Sequence, residues 1–244
     1  MLTDKIVLIT GASRGVGKET ARACARAGAK VILHFNVNKD AATALAKEVD
    51  AVGCVAEDLS QKGAADRLWQ QAMTMAGQVD AVVNNAGVYR ETPLHDAQSW
   101  DRNWAEQFQV NVMAPCELMR NAINDWGSQG GAIVNIASRA AYRGDGPDHT
   151  GYAACKAALV AAAKTLARAH AHNYALIYTL TPGWIETDMA PSRVEARAAA
   201  IAEIPLGRVA QPEEIAAMTA FLLSGQCGSA TGSVIDINGA SFMR

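Results

Sequence analysis

Lys5-Ile6-Val7-Leu8-Ile9-Thr10-Gly11-Ala12-Ser13-Arg14-Gly15-Val16-Gly17 decides the reading of this chain, because an apolar run breaks into a glycine-rich turn and a helical pattern begins directly behind it. A short run without polar alternation reads as a strand covered on both faces. Gly11 permits a tight turn, Gly15 lets the backbone approach a pyrophosphate, and Gly17 lets the helix pack closely on the strand. The amides that open this helix, those of Ser13 and Val16 among them, then point at anionic oxygens with the helix dipole behind them. A glycine triplet alone is weak, since such turns occur in many folds. Placed directly after the first strand, it becomes a dinucleotide signal.

Outward from this stretch the same rhythm repeats. Apolar runs at 5–10, 30–35, 53–57, 80–84, 132–137 and 175–180 predict strands, with 233–237 as the last. Helical patterns fall between them at about 15–28, 39–49, 61–76, 99–125, 151–171 and 212–224. This alternation predicts an α/β fold: a single-domain, Rossmann-type, doubly wound parallel sheet of about seven strands over residues 1–244, with helices on both faces. The Ala-rich stretch 186–207, between Pro182-Gly183 and Pro205-Leu206-Gly207, is expected to leave the sheet as a substrate lid.

Composition narrows the function classes. The chain has 244 residues, half of them apolar and 19% charged, which suffices for a sizeable core. Lys plus Arg total 22 against 24 Asp plus Glu, so no electrostatic case arises for nucleic acid or an anionic membrane as partner. The N-terminal apolar run is too short for a signal peptide, and no run reaches membrane-spanning length. The five cysteines (24, 54, 116, 155, 227) are odd in number and never spaced as CxxC. They read as reduced thiols in a cytoplasmic protein, and with the histidines they form no metal-binding pattern.

The second strand bears on which dinucleotide is bound. An NAD site places an acidic residue about 20 residues past the glycine loop, where it accepts from the ribose 2′-hydroxyl. Here the strand ends His34-Phe35-Asn36-Val37-Asn38, without a carboxylate, and Asp40 opens the next helix. Arg14 inside the loop and Asn36 both donate hydrogen bonds, which suits a 2′-phosphate. NADP is therefore the expected cofactor, ahead of NAD.

Tyr152-Ala153-Ala154-Cys155-Lys156 opens a helical stretch and puts a phenol and an ammonium on one face. Hydride transfer to a ketone leaves an alkoxide that must be protonated. A free tyrosine, with a pKa of about 10, is poorly matched to that task. An adjacent ammonium and an oxidised nicotinamide both favour the phenolate, so a lowered Tyr152 pKa is expected; a shift of roughly 3 units is about 4 kcal/mol. Ser138 follows the strand at 132–137 and is placed to donate to a substrate oxygen. Asn84-Asn85-Ala86-Gly87 ends the fourth strand, where small residues admit a ligand to the backbone. Asn111 lies within a long helical stretch, where its amide is expected to bend the helix and hold a water.

Taken together the chain resembles the short-chain dehydrogenase/reductase family over nearly its whole length. The matching pieces run in the family's order: the glycine motif at 10–17, Asp58-Leu59, the Asn-Asn-Ala-Gly at 84–87, Asn111, Ser138, Tyr152 with Lys156, Pro182-Gly183-Trp184-Ile185-Glu186-Thr187, and Ala230-Thr231-Gly232. The resemblance implies that Tyr152 exchanges the proton and that Lys156 lowers its pKa and binds the nicotinamide ribose. It implies that Ser138 polarises the carbonyl and that Asn111 positions a relay water. It further implies that Asp58 meets the adenine, that Asn85, Ala86 and Gly87 line the cofactor, and that Ile185 and Thr187 hold the carboxamide end.

The departures are local. Ser138 and Tyr152 stand one position further apart than in the common family pattern, with the extra residue in the loop 139–151. The nearest large branch resembles the 3-oxoacyl-acyl-carrier-protein reductases, but Gln129 and Asn173 stand where that branch carries basic residues for an acidic carrier. The expected substrate is a small carbonyl or alcohol compound, met by Tyr89, Arg90, Tyr142, Arg143, Asp145, His149, Trp184 and Met189. A carrier-linked substrate and a non-catalytic dinucleotide sensor are the alternatives. Alanines at 153, 154, 157, 158, 161, 162 and 163, with the helix at 99–125, resemble the family's dimerisation face, so a homodimer or homotetramer is expected.

Overall fold

The computed structural model describes residues 2–187 and 194–244. Seven strands, β1 (Ile6–Ile9), β2 (Lys30–Phe35), β3 (Gly53–Ala56), β4 (Ala81–Asn84), β5 (Gly131–Ile136), β6 (Ala175–Pro182) and β7 (Val234–Ile237), form one sheet among the described residues. Every pair is parallel and the order is β3-β2-β1-β4-β5-β6-β7. The chain reverses its winding between β1 and β4. In such sheets a crevice opens outside the carboxyl ends of the strands at that reversal.

The near-continuous apolar strands divide by residue parity, because successive side chains point to opposite faces. Leu8, Ile32, Val82, Ile133 and Ile177 enter one core, against Leu68 and Trp69 of α3 (Ala64–Ala76), Leu118 of α5 (Ala114–Trp126) and Leu159 of α7 (Thr150–His170). Val7, Ile9, Leu33, Val83, Val134 and Leu180 enter the other, against Ala21 of α1 (Gly15–Arg26), Leu45 of α2 (Lys39–Glu48) and Ile215 of α9 (Pro212–Leu223). Truncating such a leucine to alanine costs roughly 2–5 kcal/mol.

Two differences from the expected elements matter for the site. The helix expected at 99–125 is three pieces: α4 (Ala97–Phe108), a π-turn at Gln109–Met113, and α5. Proline at 115 has no N–H to close an α-helical bond onto the carbonyl of Asn111, so the ladder widens there. The expected lid at 186–207 falls partly outside the described residues. Its described part contains α8 (Val194–Ala202).

Candidate active site

A cleft of about 770 Å³ lies over the carboxyl ends of the strands. One end is walled by Gly11, Ser13, Arg14, Gly15 and Val16, and by Asn36, Asp58 and Leu59 from the ends of β2 and β3. Asn85, Ala86 and Gly87 form its floor, and Pro182, Gly183, Ile185 and Thr187 line it beyond β6. Ser138, Tyr152 and Lys156 lie on the same cleft, so most of the expected residues converge. Gly17 and Asn111 are not on the wall and act by position.

The glycine loop is shaped to leave room. Gly11 and Gly15 have φ of +63° and +53°, a left-handed conformation that favours glycine. A Cβ on Gly17 would stand 2.3 Å from the Gly11 carbonyl oxygen, so only glycine allows the helix to start this close to the strand. A Cβ on Gly87 would come within 3.1 Å of Asn111 Oδ1 and 3.5 Å of Lys156 Nζ. This bare backbone at the start of an unobstructed helix fits the diphosphate of a dinucleotide.

Polar braces hold the loop. The Thr10 hydroxyl accepts from the Asn85 and Ala86 amides, both at 2.9 Å, and donates to the Val83 carbonyl at 3.2 Å. Asn85 Nδ2 donates to the carbonyls of Thr10 and Gly11 at 2.8 and 3.1 Å, so this residue supports the turn as well as lining the cleft. His34 was not singled out by the sequence. Buried at the end of β2, its Nδ1 accepts from the Gly11 amide at 3.1 Å, which leaves Nε2–H to donate to the Glu57 carbonyl at 2.9 Å. Burial holds its pKa below the usual histidine value, in keeping with this neutral tautomer.

Beside it Asn36 is exposed and donates to Asp58 Oδ1 at 3.3 Å, tying the ends of β2 and β3. Burial works against the Asp58 charge, but bonds from Ser60, Gln61 and Asn36 hold its pKa below the ordinary carboxylate range.

At the other end, Ser138 Oγ accepts from the Ala140 amide at 3.1 Å, leaving its O–H to donate outward. Lys156 is buried and donates from Nζ to the Ile136 carbonyl at 2.8 Å, on the last residue of β5. Its Nζ stands 5.7 Å from the centre of the Tyr152 ring. The extra position between Ser138 and Tyr152 does not part them: the short helix α6 (Ala140–Arg143) takes up chain and Gly144, at φ +79°, ends it.

Burial dominates the electrostatics of the chain by itself. Burial pushes the Tyr152 phenol up to about 12; the Ser138 hydroxyl pulls the other way, and Asp145 adds to the rise. Burial brings the Lys156 ammonium down to about 8. In the chain by itself burial, which favours the protonated phenol, outweighs the hydrogen bond from Ser138.

Asn111 lies in the π-turn, buried. Its Oδ1 accepts from the Val88 amide at 3.0 Å and its Nδ2 donates to the Val88 carbonyl at 2.9 Å. Both halves of the amide thus pin the segment after β4. Pro115 withholds an α-helical donor from the Asn111 backbone carbonyl.

Of the expected substrate residues, Tyr89, Arg90, Arg143, Asp145 and Trp184 line the cleft. His149 stacks beneath Tyr89, ring centres 3.9 Å apart, and Tyr89 meets the Tyr152 ring edge-on at 4.7 Å. Tyr142 does not line it: its ring stacks on Phe242 and lies under the Arg244 guanidinium. Met189 lies outside the described residues. The sequence reading also missed Arg139 and Glu106, both on the wall.

A glycine-cradled crevice at the reversal of a parallel sheet, with half-buried Ser138 and Tyr152 and buried Lys156 at its far end, defines a dinucleotide-binding oxidoreductase class. The family described as enoyl-(acyl carrier protein) reductase matches residues 11–240. This chain belongs to it, within the short-chain dehydrogenases/reductases, NAD(P)-dependent oxidoreductases. Similar proteins include the 3-oxoacyl-acyl-carrier-protein reductases of Vibrio cholerae, 31% identical, and Pseudomonas aeruginosa, 34% identical; each match covers 99% of both chains. Among solved structures, a blue fluorescent protein from a metagenomic library, in complex with NADPH, superposes with a TM-score of 0.92 at 30% identity over 99% of both chains. A dehydrogenase/reductase from Sinorhizobium meliloti follows with a TM-score of 0.90 at 28% identity, over 99% of this chain and 96% of the other.

Proposed function

We propose that this protein transfers hydride between NADP(H) and a small ketone or secondary alcohol, with Tyr152 exchanging the proton. The observation that carries the reading is the meeting of Ser138, Tyr152 and Lys156 on the wall of the cleft that the glycine loop opens. The cofactor supplies or accepts the hydride and, when oxidised, brings a positive charge.

The chain's own residues do the rest. Ser138 donates to the carbonyl oxygen. Tyr152, kept protonated by burial, gives its proton to that oxygen in reduction, and in the reverse direction takes it back. Lys156, seated on the Ile136 carbonyl, holds the ribose and carries protons onward. The Asn111 carbonyl orders the water that resupplies them. The resemblance-based cofactor contacts of Asp58, Ile185 and Thr187 belong to the same proposal.

NADP is favoured by Arg14 and Asn36 at the cleft's open end, by the lack of a carboxylate at the end of β2, and by the NADPH bound to the metagenomic relative. Following NADPH and NADH absorbance over a panel of ketones tests this. The expected outcome is turnover with kcat/KM at least about tenfold higher for NADPH, the worth of one charge-assisted hydrogen bond. Preference for NADH overturns the cofactor, and no turnover of any carbonyl overturns the reaction.

The names of the relatives favour a second reading, reduction of a carrier-linked 3-oxoacyl group. Higher kcat/KM for carrier-linked than for free substrates is its signature. We also propose a homodimer or homotetramer through the small-residue face of α7 and the exposed Phe108 and Met113. A monomer by sedimentation at micromolar concentration would remove it.

A further inference from the structure

The substrate end of the cleft holds a buried cation that the fold pairs only loosely. Arg139, next to Ser138, is 4% exposed and lines the cleft, and its Nη1 is buried without a hydrogen-bond partner. The nearest carboxylate, that of Glu203 just beyond α8, lies 3.6 Å from Nη2, outside hydrogen-bond range. The same Glu203 oxygen already accepts from Arg143 Nη1 at 3.0 Å. Arg139 and Arg143 are one helical turn apart, so two guanidinia share one carboxylate that is more than half exposed. Asp145 makes no hydrogen bond to Arg139; its Oδ1 accepts from the Gly146 amide at 2.9 Å, and its charge acts on the guanidinium from a distance.

A buried guanidinium retained for structure normally has its donors satisfied, because an unpaired buried charge is strongly unfavourable. Here one arm of the fork, Nη1, stays without a hydrogen bond and the other meets only a distant carboxylate, beside the residue that faces the reacting oxygen. We infer that Arg139 anchors a substrate carboxylate, so that the ketone reduced at this site is an oxo acid. The inference rests on the reductase reading above. The two guanidinia are balanced by Glu203 and Asp145, so one incoming carboxylate takes over a role that Glu203 fills poorly. A carboxylate matches the fork with two parallel bonds. The acyl chain of a thioester is neutral there and leaves the cation unpaired.

The test compares 2-, 3- and 4-oxo acids of four to six carbons, each against its methyl ester, with NADPH. The parent protein is expected to favour at least one acid over its ester by tenfold or more in kcat/KM. Arg139→Met lowers kcat/KM for that acid about 10- to 100-fold more than for the ester, and Arg139→Lys restores part of the loss. Glu203→Gln, a surface change that spares the buried arginine, lowers KM for the acid several-fold while the KM of the ester stays within twofold.

Equal use of acid and ester by the parent, or equal losses on both in Arg139→Met, overturns the inference and leaves the reductase reading standing. If no carbonyl is turned over, the reductase reading fails first, and calorimetric titration with pentanoate still judges the anchor. Binding that Arg139→Met abolishes supports it, and pentanoate binding unaltered by that change, or absent in the parent, refutes it.

Discussion

The two ends of the cleft differ in how their polar groups are spent. At the glycine-loop end, Thr10, His34 and Asn85 bond to one another's strands, and each bond steadies the turn. At the substrate end, Arg139 Nη1 on the cleft wall is buried without a partner, and so is Nδ1 of His149, whose ring stacks on Tyr89 of the wall. The first pattern is a finished cradle, in which the ligand meets backbone amides and pays little reorganisation. The second leaves donors and acceptors for something the fold does not supply. A binding end is thus complete without its ligand, whereas a specificity end shows itself by what is left unpaired.

The sharpest way to separate the two ends is Tyr152→Phe, which keeps the ring and deletes the transferable proton. Ketone reduction should fall about a thousandfold, within the range of general acid catalysis. NADPH binding, followed by its fluorescence, should stay within a few-fold. Ketone reduction near the parent rate in this variant would mean that the proton comes from elsewhere and that the two ends are not divided as described.

Gly17→Ala attacks the opposite end. The added methyl meets the Gly11 carbonyl at 2.3 Å, so the helix start must shift. The expected result is NADPH affinity weakened at least tenfold, with about 1–3 kcal/mol of stability lost to overpacking. Thermal melts with and without NADPH read both.

A smaller effect tests cofactor choice. Arg14→Ala should weaken NADPH binding about tenfold and NADH binding less than twofold, because only the former has a phosphate at the ribose. Equal weakening of both would move Arg14 to the shared diphosphate.

The smallest effect concerns Lys156. Burial lowers its pKa to about 8 in the folded protein, below the unfolded value near 10.4. Between these values the unfolded chain binds more protons, so this group's contribution to stability rises with pH. Lys156→Met removes that slope. Below pH 8 the variant should gain relative to the parent, and the gain should shrink as pH rises towards 10.4. A difference in melting temperature that does not change across this window would show that the ammonium is not desolvated.

Much of the site was legible because its signals are local. The glycine spacing, Tyr152 and Lys156 four residues apart on one helix, and the strand ending at Ser138 all follow from short-range geometry. Pro115, four residues after Asn111, was a legible sign of the π-turn that the long helix at 99–125 hid. His34 gave no such sign: a histidine ending an apolar strand looks like a core residue until the Gly11 amide is seen to point at it. Tyr142 misled for the converse reason, since its neighbours in sequence face the cleft while its own ring turns to Phe242 at the far end of the chain.

The sequence by itself determined the doubly wound sheet, the glycine turn and the placing of Tyr152 and Lys156 on one helix, since hydrophobic periodicity and glycine conformation act within a few residues. The tertiary structure alone decided the protonation and the pairing. Tyr152 keeps its proton because packing from distant elements strips water from it. Arg139 keeps only a long ion pair because the hydrogen bond of Glu203, some sixty positions along the chain, goes to Arg143 instead. Desolvation and hydrogen-bond competition depend on which groups arrive together in space, and no local pattern encodes that.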